Sequence, residues 1–248
     1  MIILKSKTEI AAMREAGRVV AQAHQIVAEN IRPGVTSKYL DQLVEEFFVS
    51  QGAIPAFKDY QGYPASICTS VNEIVVHGIP NDIPFEEGWI VSVDIGAFVD
   101  GFCGDSAWTY PVGVIDTDIQ KLLEVTKESL FRGIDKAVIG NRLSDISHEI
   151  QTFVESNGFS VVRDFVGHGI GRSMHESPQI PNFGIPGRGP RLKEGMTLAI
   201  EPMVNVGGYH VEVLPDNWTT VTVDRSWSAH FEHTVAVTAE GPQILTVI

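Results

Sequence analysis

The chain has 248 residues, 44% of them hydrophobic, and a formal net charge of −13. That length and apolar content suit a globular core in one or two domains, and the negative charge argues against nucleic acid or an anionic membrane as the main partner. Two cysteines, Cys68 and Cys103, are too few for a disulfide scaffold, no apolar run approaches the ~18 residues of a membrane span, and Lys5, Lys7 and Glu9 follow Met1 too closely for a signal peptide, so a cytoplasmic location is expected.

In chain order, Ser6-Lys7-Thr8-Glu9 has the form of a capping box and predicts a helix to about Asn30, ahead of Pro33-Gly34. A second helix is expected from about Ser37 to Gln51, stopped by Gly52. Strand-like segments lead to Trp89–Phe98, the turn signal Asp100-Gly101 and a return strand Phe102–Val112. Asp116 then caps a helix to about Val138, another runs from about Ser144 to Asn157, and several strands complete the chain. A weak internal echo links "GVTSKYLDQLVEEFFVSQG" from Gly34 with "GNRLSDISHEIQTFVESNG" from Gly140, 106 residues later. Leu40/Ile146, Val44/Ile150, Phe47/Phe153 and Gly52/Gly158 align without a gap, which suggests two related α+β halves with helices covering one face of a central sheet.

The hairpin poses a question, because Asp94 and Asp105 interrupt apolar strands. If Asp100 and Gly101 form the loop, Val99 pairs with Phe102 and Asp105 lies opposite Gly96. Asp94, two residues from Gly96, then shares its face. Two ionised carboxylates so placed repel each other and are costly to bury. Either both face solvent or a cation lies between them. Further acidic and imidazole groups sit beside apolar strands: His168 and His175 in "FVGHGIGRSMHESPQ", Glu201 in "MTLAIEPMV", Glu232 in "SAHFEHTVAV". Taken singly, each could be a solvated or hydrogen-bonded structural group. Two Asp, one His and two Glu together suit a divalent ion of intermediate hardness, Mn²⁺, Fe²⁺, Co²⁺ or Zn²⁺, and suffice for two ions ~3.5–4 Å apart.

The stretches "YPASICTSVNEIVVHGIP", "VSVDIGAFVDGFCGDSAWTY", "GHGIGRSMHESP", "MTLAIEPM" and "HFEHTVAVT" resemble those of type I methionine aminopeptidases, over nearly the whole chain from Lys5. The resemblance implies the pita-bread fold, an α+β architecture with a curved antiparallel sheet, helices on its outer face and two pseudo-symmetric halves. A single catalytic domain would span 1–248, with halves of roughly 1–113 and 114–248. His168 and Glu201 lie 33 residues apart, which by the resemblance implies that the long insertion of type II enzymes is absent, and a first expected helix near residue 7 implies a likeness to short bacterial forms without an N-terminal zinc-binding extension.

By the same resemblance the five metal ligands are Asp94, Asp105, His168, Glu201 and Glu232, holding two divalent ions (Co, Mn, Fe(II) or Zn) that polarise the scissile carbonyl and acidify the attacking water. Glu201 would also shuttle a proton, His175 would hydrogen-bond the oxyanion and His77 would contact the peptide on the leaving side. Tyr60, Tyr63, Cys68, Met174 and Trp218 would line the methionine pocket, with Phe57 nearby. Met174 stands where many relatives carry Phe, and Phe57 where some carry Cys. Carbonyls near Asn72, Ile74 and Ser228 would hold a monovalent cation, Na⁺ or K⁺. His24, His148, His210, His230 and His233 remain as structural or surface groups, although His230 would share a strand face with Glu232. The implied substrates are N-termini of nascent polypeptides with a small second residue, met near the ribosome exit by a monomer that binds neither DNA nor membrane. A proline-directed relative of the same fold and a non-catalytic binding module are the alternatives. The first usually needs a large N-terminal domain, and the second loses ligands.

Overall fold

The computed structural model describes residues Met1–Ile248. Helix α1, Lys7–Asn30, opens on a capping box: the Glu9 N–H donates to Ser6 Oγ at 3.3 Å, and the Ser6 N–H donates to the Glu9 carboxylate at 3.0 Å. Its buried face, Met13, Ala16, Gly17, Val20, Ala23, His24 and Val27, follows the helical repeat. Helix α2, Ser37–Gln51, ends at Gly52, whose φ of 66° is the left-handed conformation that glycine adopts most readily.

Strands β1 (Ile54–Pro55), β2 (Cys68–Val71) and β3 (Ile74–Val76) precede the long hairpin of β4 (Ile90–Val99) and β5 (Phe102–Pro111). Asp100 and Gly101 both have positive φ, 49° and 78°, which sets the strand register expected from sequence: Val99 faces Phe102, and Gly96 faces Asp105. Strands β1 and β2 pair along the other edge of β4, with Cys68 opposite Asp94.

Helices α3 (Thr117–Asp135) and α4 (Leu143–Ser156) repeat the helix pair of the first half. Helix α3 stops three residues short of the expected Val138. The N–H groups of Lys136 and Ala137 turn back to the carbonyls of Gly133 and Ile134, which tightens the chain into a turn toward Gly140. At α4, Arg142 rather than a serine precedes the helix; its N–H is held at 2.7 Å by the Asp145 carboxylate.

The remaining strands are β6 (Ser160–Val161), β7 (Gly167–Gly169), β8 (Glu176–Ile180), β9 (Thr197–Ile200), β10 (Met203–Asn205), β11 (Val211–Val213), β12 (Thr220–Thr222), β13 (Ser228–His230), β14 (His233–Thr238) and β15 (Gly241–Ile244). Every pairing is antiparallel, and the largest sheet runs β15-β14-β9-β7-β8. The apolar faces of α1 and α2 pack with β4, while α3 and α4 pack over β9, β13 and β14.

The hairpin and the C-terminal segment meet through hydroxyls as well as a backbone pair between Ala107 and Glu232. Thr234 Oγ1 accepts from the Asp105 N–H (3.0 Å) and donates to its carbonyl (2.8 Å). Ser106 Oγ donates to the Glu232 carbonyl (2.7 Å), and Thr109 Oγ1 bonds both the N–H and the carbonyl of His230 (2.9 and 2.8 Å). These bonds satisfy backbone groups that a regular ladder would have paired. They also fix the backbone at Asp105 in β5 and at Glu232.

Candidate metal centre

Five segments converge on one cavity of about 200 Å³, lined by Phe57, Tyr60, Gln61, Tyr63, Cys68, His77, Asp94, Asp105, His168, Met174, His175, Glu201, Trp218 and Glu232. It therefore gathers all five expected ligands, both accessory histidines and all the expected pocket side chains. Asp94 and Asp105 come from the paired strands β4 and β5. His168 comes from β7, Glu201 follows β9, and Glu232 lies between β13 and β14. Gly96, opposite Asp105, leaves that carboxylate room: a Cβ there would sit 3.1 Å from Asp105 Oδ1.

The acidic groups are unsatisfied by protein alone. Asp105 and Glu232 are 4% and 2% exposed. Asp94 Oδ1, Asp105 Oδ1 and Glu232 Oε1 are buried without a hydrogen-bond partner. Burial pushes all four carboxyls up, Asp94 to about 7 and Glu201 to about 8. Asp105 and Glu232 go well above their usual range, by burial first and then by repulsion from the other carboxylates. Buried like charges with orphaned oxygens are stabilised by a cation. The donor atoms also cluster: one atom each from Asp105, His168 and Glu232 lie within 4.8 Å of one another. Carboxylates plus imidazole are a fitting set for a divalent ion of borderline hardness.

The histidines are oriented by their unused nitrogens. His168 Nδ1 is 2.9 Å from the Gly169 carbonyl, so it carries the proton, and Nε2 turns its lone pair toward Glu201 and Asp105, at 3.6 and 3.9 Å. Burial lowers His168 to about 4 and so keeps it neutral. His175 Nδ1 is 2.9 Å from the Tyr60 hydroxyl, and its ring centroid lies 4.4 Å from that of His168. The loop that carries His175 is tied down by Glu176, whose Oε1 accepts from the N–H groups of Arg172 and Ser173 (2.9 and 3.3 Å) and whose Oε2 pairs with the buried Lys5 ammonium. His77, just beyond β3, adopts a left-handed φ of 60°, and its ring meets Trp218 and Phe165 edge-on. Burial lowers His77 as well, to about 4.

The apolar wall holds Phe57, Tyr63, Cys68 and Met174, all buried, with Tyr60 and Trp218 half-buried at the rim. The rings of Tyr63 and Trp218 meet edge-on at 5.1 Å. Burial pushes the Cys68 thiol up, and Asp94 opposite adds to this, so it stays protonated. Asn72 and Ser228 are neighbours, the Ser228 N–H donating to the Asn72 carbonyl at 2.8 Å, and Ile74 follows in β3.

Three groups at the site lie outside the ligand and pocket roles expected from the sequence. Gln61 lines the cavity with a positive φ, and no local pattern marks it. Asn182 is buried and donates to the Glu201 carbonyl at 2.9 Å from a distant loop. His230, expected among the structural or surface histidines and sharing a strand face with Glu232, lies buried with its Nε2 3.5 Å from Glu201 Oε2. The strand alternation with Glu232 was the signal for it. His24 and His233 are packed and hydrogen-bonded away from the site, and His148 and His210 are exposed.

The model of metallopeptidase family M24 matches residues 11–239. Methionine aminopeptidase 1 of Bacillus subtilis (strain 168) is 58% identical over 246 residues, 99% of each chain. The methionine aminopeptidase of Clostridium perfringens is 54% identical over 248 residues, all of both chains. Among solved structures, the methionine aminopeptidase from Thermotoga maritima superposes with a TM-score of 0.98 at 51% identity, covering 100% of each chain.

Proposed function

The chain belongs to metallopeptidase family M24 and is a metal-dependent aminopeptidase that removes N-terminal methionine, and on that premise we propose how its own residues do this. Asp94, Asp105, His168, Glu201 and Glu232 hold two divalent ions. The observation that carries this reading is the set of orphaned oxygens, Asp94 Oδ1, Asp105 Oδ1 and Glu232 Oε1, in a cavity whose other wall is apolar. Ions bound there supply Lewis acidity to the scissile carbonyl and lower the pKa of the attacking water.

The protein groups do the rest. Glu201 takes the proton from the water and delivers it to the leaving amine. The Tyr60 hydroxyl lies 2.9 Å from His175 Nδ1; by donating there it would place the His175 proton on Nε2, which would then donate to the developing oxyanion. His77, edge-on to Trp218, contacts the peptide on the leaving side. Tyr63, Cys68, Met174 and Phe57, with Tyr60 and Trp218, receive the thioether side chain, since aromatic and thiol surfaces suit sulfur. Asn72, Ile74 and Ser228 mark a monovalent cation site for Na⁺ or K⁺. The chain acts as one catalytic domain and a monomer, in the cytoplasm, on new N-termini near the ribosome exit. In support, no helix is long and apolar enough to cross a membrane, and the net charge of −13 disfavours DNA.

The test is release of methionine from a Met-Ala-Ser peptide by chelated protein, with Mn²⁺, Fe²⁺, Co²⁺ or Zn²⁺ added back singly. Activity restored by one or more ions is expected. Activity that survives chelation, or cleavage of Xaa-Pro peptides in preference, would overturn the reading.

A further inference from the structure

We propose that His230 is a further protein ligand of this centre, its Nε2 completing a second three-donor set with one carboxylate oxygen each from Glu201 and Glu232. The inference rests on the two-ion reading above and deepens it. It starts from the contrast between buried histidines. His24 has both ring nitrogens bonded, to the Tyr110 hydroxyl and the Ser106 carbonyl, each at 2.9 Å. His233 Nδ1 meets Thr246 Oγ1 at 2.7 Å. His230 is as buried as these, 2% exposed, yet its Nε2 has no hydrogen-bond partner. Its backbone is pinned by Thr109 on both sides, which holds the residue without engaging that nitrogen. A buried imidazole nitrogen left unpartnered is costly unless something at the site uses it.

The surroundings say what would use it. His230 Nε2 lies 3.5 Å from Glu201 Oε2 without a hydrogen bond between them, while Glu201 Oε1 lies 3.6 Å from His168 Nε2. The Glu201 carboxylate thus sits between two imidazoles, one near each oxygen. Donor atoms of Glu201, His230 and Glu232 fall within 4.8 Å of one another, as do those of Asp105, His168 and Glu232. Two compact sets share Glu232, and each contains one nitrogen. An imidazole at both positions shifts preference toward Zn²⁺, Co²⁺ or Fe²⁺ and away from Mn²⁺.

The experiment is calorimetric titration of chelated protein with Co²⁺, alongside proton NMR of the Co²⁺-loaded protein, where a metal-bound imidazole gives paramagnetically shifted signals. Wild type should take two equivalents and show shifted imidazole signals from two histidines. His230→Gln should keep one of those sets and bind one equivalent at least ~10-fold more weakly, with a smaller loss for Mn²⁺ than for Co²⁺. Two equivalents with a single imidazole set in wild type, lost on His168→Gln, would overturn the role of His230 and leave the two-ion centre standing. That holds even if His230→Gln weakens binding, since the residue would then act through Glu201. Uptake of only one equivalent by wild type would overturn the two-ion reading and this assignment with it.

Discussion

At the residue scale, the site separates groups that hold ions from groups that serve the reaction. His168→Ala removes a donor that points at Asp105 and Glu201, so it should lower metal content, and excess metal should partly restore activity. His175→Ala removes a group placed by Tyr60, so metal content should stay while kcat falls by ~10²–10³, about 2.7–4 kcal/mol, with KM changed much less. Metal analysis and steady-state kinetics on both variants check this, and equal metal loss in the two would contradict the roles. Asp105→Ala should abolish turnover and reduce bound metal while the fold survives, because deleting one of several repelling buried carboxylates relieves strain in the metal-free protein. Near-normal activity in that variant would remove the basis for the assignment. These groups were visible in the sequence because acids and imidazoles among apolar strand residues are expensive without a partner. His230 was ambiguous for the opposite reason: a histidine beside a ligand reads equally well as packing until its unpartnered nitrogen is seen. Asn182 and Gln61 reach the site from separate loops, and no local spacing records that.

At the element scale, the hairpin decides whether two carboxylates meet. Asp100-Gly101 fixes the register, and the period of two then sets Gly96, Asp94 and Asp105 on one face. That was legible in sequence, as were the α1 capping box and the Gly52 stop. The end of α3 was not, because three-residue turns carry no strong residue signal. Nor were the hydroxyl bonds from Ser106, Thr109 and Thr234, which depend on contacts more than a hundred residues apart. The way α1 sits on the hairpin gives a further prediction. A Cβ at Gly104 would stand 2.7 Å from the Gly17 nitrogen and 2.9 Å from the Ala16 carbonyl carbon, and backbone cannot yield as a flexible side chain does. Gly104→Ala should therefore cost about 1–3 kcal/mol or more in denaturant unfolding. It should also weaken metal binding, since Asp105 is the next residue. A variant with unchanged midpoint would mean that α1 is free to move off the strand.

At the scale of the whole molecule, the centre couples metal to stability, and the sign of the pH dependence follows from which groups change their proton affinity on folding. In metal-free protein the four carboxyls have folded pKa values raised above unfolded ones of about 4, Asp94 to about 7 and Glu201 to about 8. Their contribution is present at low pH and is lost as pH rises through the folded values, because the folded state then has to ionise groups that repel one another. The buried histidines act oppositely: His24, His77 and His168 are lowered to about 4 and His233 to about 3, so folding gains stability as pH rises to about 6.5, where the unfolded imidazoles also become neutral. Above pH ~6.5 the histidines no longer contribute a slope and the carboxyls act alone. Chelated protein should therefore lose thermal stability between pH 6.5 and 8. A saturating divalent ion replaces those protons, so its stabilising effect should grow across the same interval, and metal uptake should release protons. Thermal melts of chelated and loaded protein at half-unit steps of pH measure both curves. A chelated Tm that stays level or rises from pH 6.5 to 8 would show that the carboxyls ionise freely in the folded state, and the argument that their burial demands a cation would fall with it.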